Sequence, residues 1–160
     1  PNIACCNYMK EWFVNKNKIR INNCAVSNFK GKDYLYFHKN SEGNNDFRYI
    51  QGATLRKEKD NIDINKKMKV NVIHIKDLLK SFDKINLIKI DIEGSEYNIL
   101  PEIIKNKKKI DIVLCEMHGS PAGKKINGQH KNKNLTNDYN SVVNELKNLG
   151  LYNNWLYEWH

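Results

Sequence analysis

The chain has 160 residues, 40% of them hydrophobic and 28% charged, with 27 Lys and Arg against 18 Asp and Glu for a formal charge of +9. That is enough apolar material for one domain with a real core, and it excludes a disordered chain. A membrane-spanning helix is excluded too, because no window approaches the roughly 18 apolar residues one needs, and no signal-peptide pattern is visible. The lysines are spread along the chain instead of gathering in one arginine-rich stripe, which favours a solvated surface over a dedicated nucleic-acid face. Cys5, Cys6, Cys24 and Cys115 show neither CxxC pairing nor zinc spacing, so no metal site is expected and a reducing, cytoplasmic setting fits best. The first residue is Pro1 and not Met, so a processed, trimmed or fragmentary chain is expected.

In chain order, apolar residues at Ile3, Cys6, Met9 and Phe13 recur at helical spacing, with Cys5 and Trp12 alongside and Pro1 suited to a helix start. "KIRINNCAVS" reads as a short strand, and "KDYLYFHK" as an aromatic strand after a turn at Lys30-Gly31. Residues 40–69 are polar with weak periodicity and are expected to be a loop or insertion. "VNVIHI" reads as a strand, "IKDLLKSF" as a short helix, and Leu87–Ile92 as a buried strand. A helix follows from about Ser95, interrupted by Pro101, which is expected to kink or restart it. "IDIVLCEMHG" is a second buried strand, and 119–134 a mobile Gly/Lys/Asn-rich loop. "LTNDYNSVVNELKNLG" is a closing helix with an N-cap at Thr136 and a terminating Gly150, and "NWLYEW" a last aromatic strand. Strands alternating with helices predict a mostly parallel sheet covered on both sides.

Two strand ends carry chemistry. Asp91 and Glu93 end one strand; Glu116 and His118 end the next. Side chains two apart in a strand share a face, and ligands in open parallel sheets bind beyond the carboxyl ends. Both pairs are therefore expected to converge on one crevice. Read singly, each has a plainer role: Asp91 capping the following helix, Glu93 pairing with a lysine, Glu96 complementing the helix dipole, His118 binding backbone in a loop.

These stretches also resemble a known family. "LIKIDIEGSEYNIL" resembles the signature of FkbM-type S-adenosylmethionine-dependent methyltransferases, with Lys89, Asp91, Glu93, Gly94, Ser95 and Glu96 all fitting. "INNCAVSNFKGKDYLYF", "VNVIHIKDLL" and "IDIVLCEMHG" resemble three further blocks in the family's order. The resemblance implies a Rossmann-like class I fold and S-adenosylmethionine as cofactor. It also implies O-methylation of a hydroxyl on a sugar, glycan or natural-product acceptor. It places Asn23, Ala25, Val26 and Ser27 near the adenine, though Ala25 and Val26 can equally be ordinary core. Asp91 falls where the cofactor's methionine end meets the acceptor, as base or orienting group, with Glu93, Glu116 and His118 as the other catalytic candidates.

The family's glycine-rich Asp-x-Gly-Ala-Asn-x-Gly turn is absent, and Pro1 looks like the proline that follows its ribose-binding acid. The 160 residues are thus expected to be the C-terminal portion of such a domain, with an apolar sheet edge left open and activity impaired. An alternative is a non-catalytic basic module that binds a polyanion or nucleic acid. A metal-dependent nuclease using Asp-x-Glu is weaker: Asp138 and Tyr139 are available, but the spacing from His130 does not match. No membrane partner is expected, and the oligomeric state stays open.

Overall fold

A computed structural model describes residues 1–13, 18–42, 52–120 and 133–159. Helix α1 spans Ile3–Trp12, and its N-cap is Asn2, whose Oδ1 accepts from the amides of Ala4 at 2.8 Å and Cys5 at 3.3 Å. Of the apolar face expected on this helix only Cys6 is buried; Cys5 is half-buried, and Ile3, Met9, Trp12 and Phe13 are exposed. The strand expected over 18–27 is reduced to β1, Ala25–Ser27, because only those residues find a ladder partner.

Strand β2 spans Gly31–His38 and β3 spans Ile62–His74, 13 residues long. The expectation of a loop over 40–69 is therefore corrected from Ile62 onward. Ile62, Ile64, Met68, Val70 and Val72 do alternate, but the Lys and Asn residues between them mask the period of two. Residues 43–51 of that segment lie outside the described residues. Strand β3 runs parallel to β1 and antiparallel to β2, giving the order β1-β3-β2, with a bulge between Tyr36 and Phe37. Ala25, Leu35, Phe37, Val70 and Val72 form the core of this sheet, with Ala53 and Leu55 packed against it.

The second half contains α2 (Ile75–Lys80), β4 (Ile85–Ile90), α3 (Glu96–Lys105), a 3₁₀ turn at Lys107–Lys109, β5 (Ile110–Glu116), α4 (Lys133–Asn148) and β6 (Leu156–Trp159). Strands β4, β5 and β6 are parallel and adjacent in that order. The fold is thus mixed α/β with mostly parallel pairing. Helix α3 continues through Pro101 without the expected break. The proline forfeits one backbone bond, while Leu100, Ile103 and Ile104 anchor both of its flanks in the core.

Helix α4 begins upstream of Thr136, which lies inside it and is not its cap; residues 121–132 of the expected loop are outside the described residues. Its C-terminus closes as expected at Gly150, with φ of 66°. The Leu151 amide donates to the Leu146 carbonyl at 2.8 Å and the Gly150 amide to that of Lys147 at 3.0 Å, which is a Schellman motif. The Trp155 indole then donates to the buried Ile110 carbonyl at 2.7 Å, pinning the entry to β6.

Coverage of the second sheet is one-sided among the described residues. Ile88, Ile90, Val113, Cys115 and Leu156 share the cluster built by α3 and α4. On the opposite face Leu87, Ile112 and Tyr157 stay 53%, 42% and 41% exposed. Helices on both faces were expected; α2, α3 and α4 all contribute to the cluster on one face. Among the described residues no helix is long and apolar enough to cross a membrane.

Candidate active site

Strand β4 ends at Ile90, so Asp91 and Glu93 are not two apart within one strand as expected. The chain turns instead. Glu93 takes a left-handed φ of 57° and Gly94 one of 98°, and the turn delivers Glu96 to the start of α3. Asp91 stays exposed at the strand end, whereas Glu93 folds inward.

The side chain of Glu96 is fully buried. Its Oε2 accepts from the Gly94 amide at 2.9 Å; its Oε1 accepts from the His118 amide at 2.9 Å and lies 3.0 Å from His118 Nδ1. The other ring nitrogen, Nε2, lies 3.2 Å from Glu93 Oε2, which also takes the Lys59 ammonium. Tyr97 donates its hydroxyl to the His118 carbonyl. The result is a compact Glu–His–Glu–Lys network wedged between β4, β5 and α3. Gly119 lets the chain leave it: at φ of 90°, a Cβ there would stand 2.7 Å from the Leu135 carbonyl atoms.

The charges follow from these contacts. Burial alone would lower the His118 pKa, but its bonds to Glu93 and Glu96 raise it to about 10. Burial would raise Glu93, yet His118 and Lys59 hold it down to about 2. His118 is therefore protonated at neutral pH with both nitrogens engaged, and it is in no position to take a proton. Glu116, half-buried at the end of β5, is raised by burial and then by the neighbouring charge of Asp91, which makes it a better base. Its Oε1 lies 3.8 Å from His118 Nε2.

The four strand-end residues do not form one uniform set. His118 and Glu93 meet within the network, while Asp91 and Glu116 stand at its solvent side on neighbouring strands. Asn23 is exposed and accepts from Cys6 Sγ at 3.5 Å. Ala25 and Ser27 are 6% and 1% exposed, and half-buried Val26 packs against the main core. For the nuclease alternative, Asp138 is bound to Arg56 at 2.8 Å, Tyr139 donates to Glu158 at 3.1 Å, and His130 is outside the described residues.

Glu96 was legible as an acid but not as the hub. Its signal is position: three residues after Glu93 across a glycine, it can reach back to the turn amide. Thr54, Arg56 and Lys59, which also touch this turn, sit in the polar stretch read as a loop and carry no distinguishing pattern.

Stability should report the network's charge. His118 keeps its proton to about pH 10 when folded against an ordinary value of 6.5, so its contribution is full below 6.5 and is lost as pH rises toward 10. Glu93 contributes fully above its ordinary 4.5 and loses that as pH falls toward 2. The melting midpoint is expected to peak between those ordinary values and to decline by pH 10, an effect on the order of 2–4 kcal/mol. Thermal melts of His118→Gln should lack the alkaline decline; a variant that keeps it would trace the decline to another group.

In open α/β sheets ligands bind beyond the carboxyl ends of the strands, which is the end where these carboxylates gather. The family model described as the methyltransferase FkbM domain matches residues 1–150, and the chain belongs to that family. No curated protein and no solved structure matches it.

Proposed function

We propose that the protein transfers a methyl group from S-adenosylmethionine to a hydroxyl of a sugar, glycan or natural-product acceptor, on a Rossmann-like class I fold. The observation that carries this reading is the pair Asp91 and Glu116. Asp91 is exposed and Glu116 half-buried at the ends of adjacent strands, backed by the buried network. When bound, the cofactor supplies a methyl carbon already activated by its sulfonium. What remains for the chain is to orient the acceptor and remove one proton. Asp91 is the orienting group or base. Glu116, with its raised pKa, is the second proton acceptor, and Glu93 and His118 hold the strand ends in place.

The residues named for the cofactor fit it in part. Asp91, Val26 and Asn23 have surface to offer, whereas Ala25 and Ser27 are closed in and shape the strand end from inside. Beside Asn23, a cleft of about 220 Å³ is lined by Pro1, Lys32 and Met68 through Asn71. That is smaller than the roughly 300–1,000 Å³ of a typical ligand pocket, so it takes only part of such a molecule. The free cysteines suit the cytoplasmic setting we propose.

A second reading, polyanion binding, rests on the outer face of β2 and β3. There Lys32, Lys67 and Lys69 surround the exposed Tyr34, with Lys67 Nζ 4.9 Å from its ring centroid. Calorimetric titration of S-adenosylhomocysteine separates the two readings. Saturable one-to-one binding that is insensitive to salt is expected. Silence toward the cofactor product, with steeply salt-dependent binding of single-stranded DNA, would replace the enzyme reading with the second.

A further inference from the structure

One short segment reaches across from the first sheet to the turn that follows β4. Thr54, 1% exposed, is bound through its backbone to Tyr36 of β2, with N–O distances of 3.0 and 2.8 Å. Its hydroxyl donates to the Glu93 carbonyl at 2.8 Å and accepts from the Arg56 amide at 3.1 Å. Arg56 Nη1 donates to the Gly94 carbonyl at 2.9 Å and to Asp138 of α4 at 2.8 Å, while its Nε is held by Glu58 at 2.7 Å. Lys59 places its ammonium on Glu93. The side chains of Thr54, Arg56 and Lys59 thus land on two consecutive residues, Glu93 and Gly94.

Those residues need holding. Glu93 is a non-glycine residue in the left-handed region, a conformation that costs about 1 kcal/mol or more and persists only where surroundings enforce it. Gly94 packs so closely that a Cβ would meet Leu135 at 3.2 Å and Arg56 Cδ at 3.5 Å. A loop that merely folded on itself would not direct an arginine to a carbonyl on one element and a carboxylate on another.

We propose that Thr54, Arg56 and Lys59 form a clamp that positions the strand end carrying Asp91. They are positioning residues for the reaction, acting through the Glu93–Gly94 turn. The role in catalysis rests on the methyltransfer reading above; the clamp itself does not. Through Asp138 the same arginine ties α4 to the turn.

The test reads the turn directly, by NMR titration of the His118 ring in the full chain. The groups facing that ring are Glu93, Glu96 and Glu116, with Lys59 opposed to it on the Glu93 carboxylate. Thr54→Val and Arg56→Ala release the turn, so Glu93 should leave the imidazole and the midpoint should fall by about one unit or more. Thr54→Ser, which keeps the hydroxyl, should titrate like the parent. Lys59→Met removes a hold on Glu93 and also a cation beside it, effects opposed in the titration, so its readout is exchange. Amide exchange at Gly94 should quicken in all three of Thr54→Val, Arg56→Ala and Lys59→Met.

Parent-like titration and exchange in Thr54→Val, Arg56→Ala and Lys59→Met would overturn the clamp. If Arg56→Ala does not fold, Thr54→Val, a methyl for a hydroxyl, decides alone. In methyl-transfer assays Thr54→Val should lower kcat about tenfold at unchanged cofactor KM. Equal loss in kcat and in folded fraction would reduce the clamp to a stability element. A parent without transfer activity, in which the titration still shifts as described, would keep the clamp and discard the functional reading.

Discussion

Glu96→Ala is expected to lower stability by about 3–5 kcal/mol, the cost of leaving a buried charge without its partner. In this protein the stranded group is the His118 imidazolium, which would keep only Glu93, and the amides of Gly94 and His118 would lose their acceptor at the same time. For a domain of this size that corresponds to a fall in the melting midpoint of roughly 10 °C. Glu96→Gln should fall between the parent and the alanine variant, since its carbonyl can still accept one bond while its amine faces donors. Thermal melts at pH 6 check both. A midpoint within a degree or two of the parent in Glu96→Ala would mean that water or a neighbour satisfies these groups, and that the network is not what holds the turn.

Asp91→Ala should behave in the opposite way: little change in the melt and a large loss of chemistry. Asp91 is exposed at the end of β4, and its removal opens no cavity. If it takes or steers the acceptor proton, transfer should fall by about 100-fold or more, the usual range for a positioned general base. Glu116→Gln should cost less if Glu116 is the second acceptor, and the double variant should cost little more than Asp91→Ala if the two serve one step. Turnover of Asp91→Ala at the parental rate would sink the role assigned to it. The paired outcomes matter together. A network variant that loses stability and a surface variant that loses rate would separate the scaffold of this site from its working face.

Much of the fold was legible because it follows periodicity. The alternation in "VNVIHI", the apolar runs before Asp91 and Glu116, and the closing Gly150 all mark local events that the chain decides over a few residues. What escaped depends on partners distant in sequence. Residues 62–69 read as loop because a lysine-rich strand in β3 is stabilised by pairing with β2 and not by its own hydrophobicity. Pro101 read as a break because propensity is local, whereas the packing of Leu100 and Ile103 that overrides it is tertiary.

The site shows the same division. That acids cluster after β4 was plain from the chain. Which of them is buried was not, because Glu93 and Glu96 differ only in the direction set by a left-handed turn. The plainer reading of Glu93, as one half of a lysine pair, describes its contact with Lys59, while the choice of Lys59 among the many lysines had no sequence signal.

The molecule has separate apolar cores, one within β1-β3-β2 and one within β4-β5-β6 and its helices. Bonds from Thr54, Arg56 and Lys59 to the Glu93–Gly94 turn help to join them. The join is not polar alone, because half-buried Val26 of β1 packs against the second core. Within it the Lys59–Glu93 contact is the part that titrates: acid strong enough to protonate Glu93 would weaken that contact, while the bonds of Thr54 and Arg56 to the backbone carbonyls of Glu93 and Gly94 would stand.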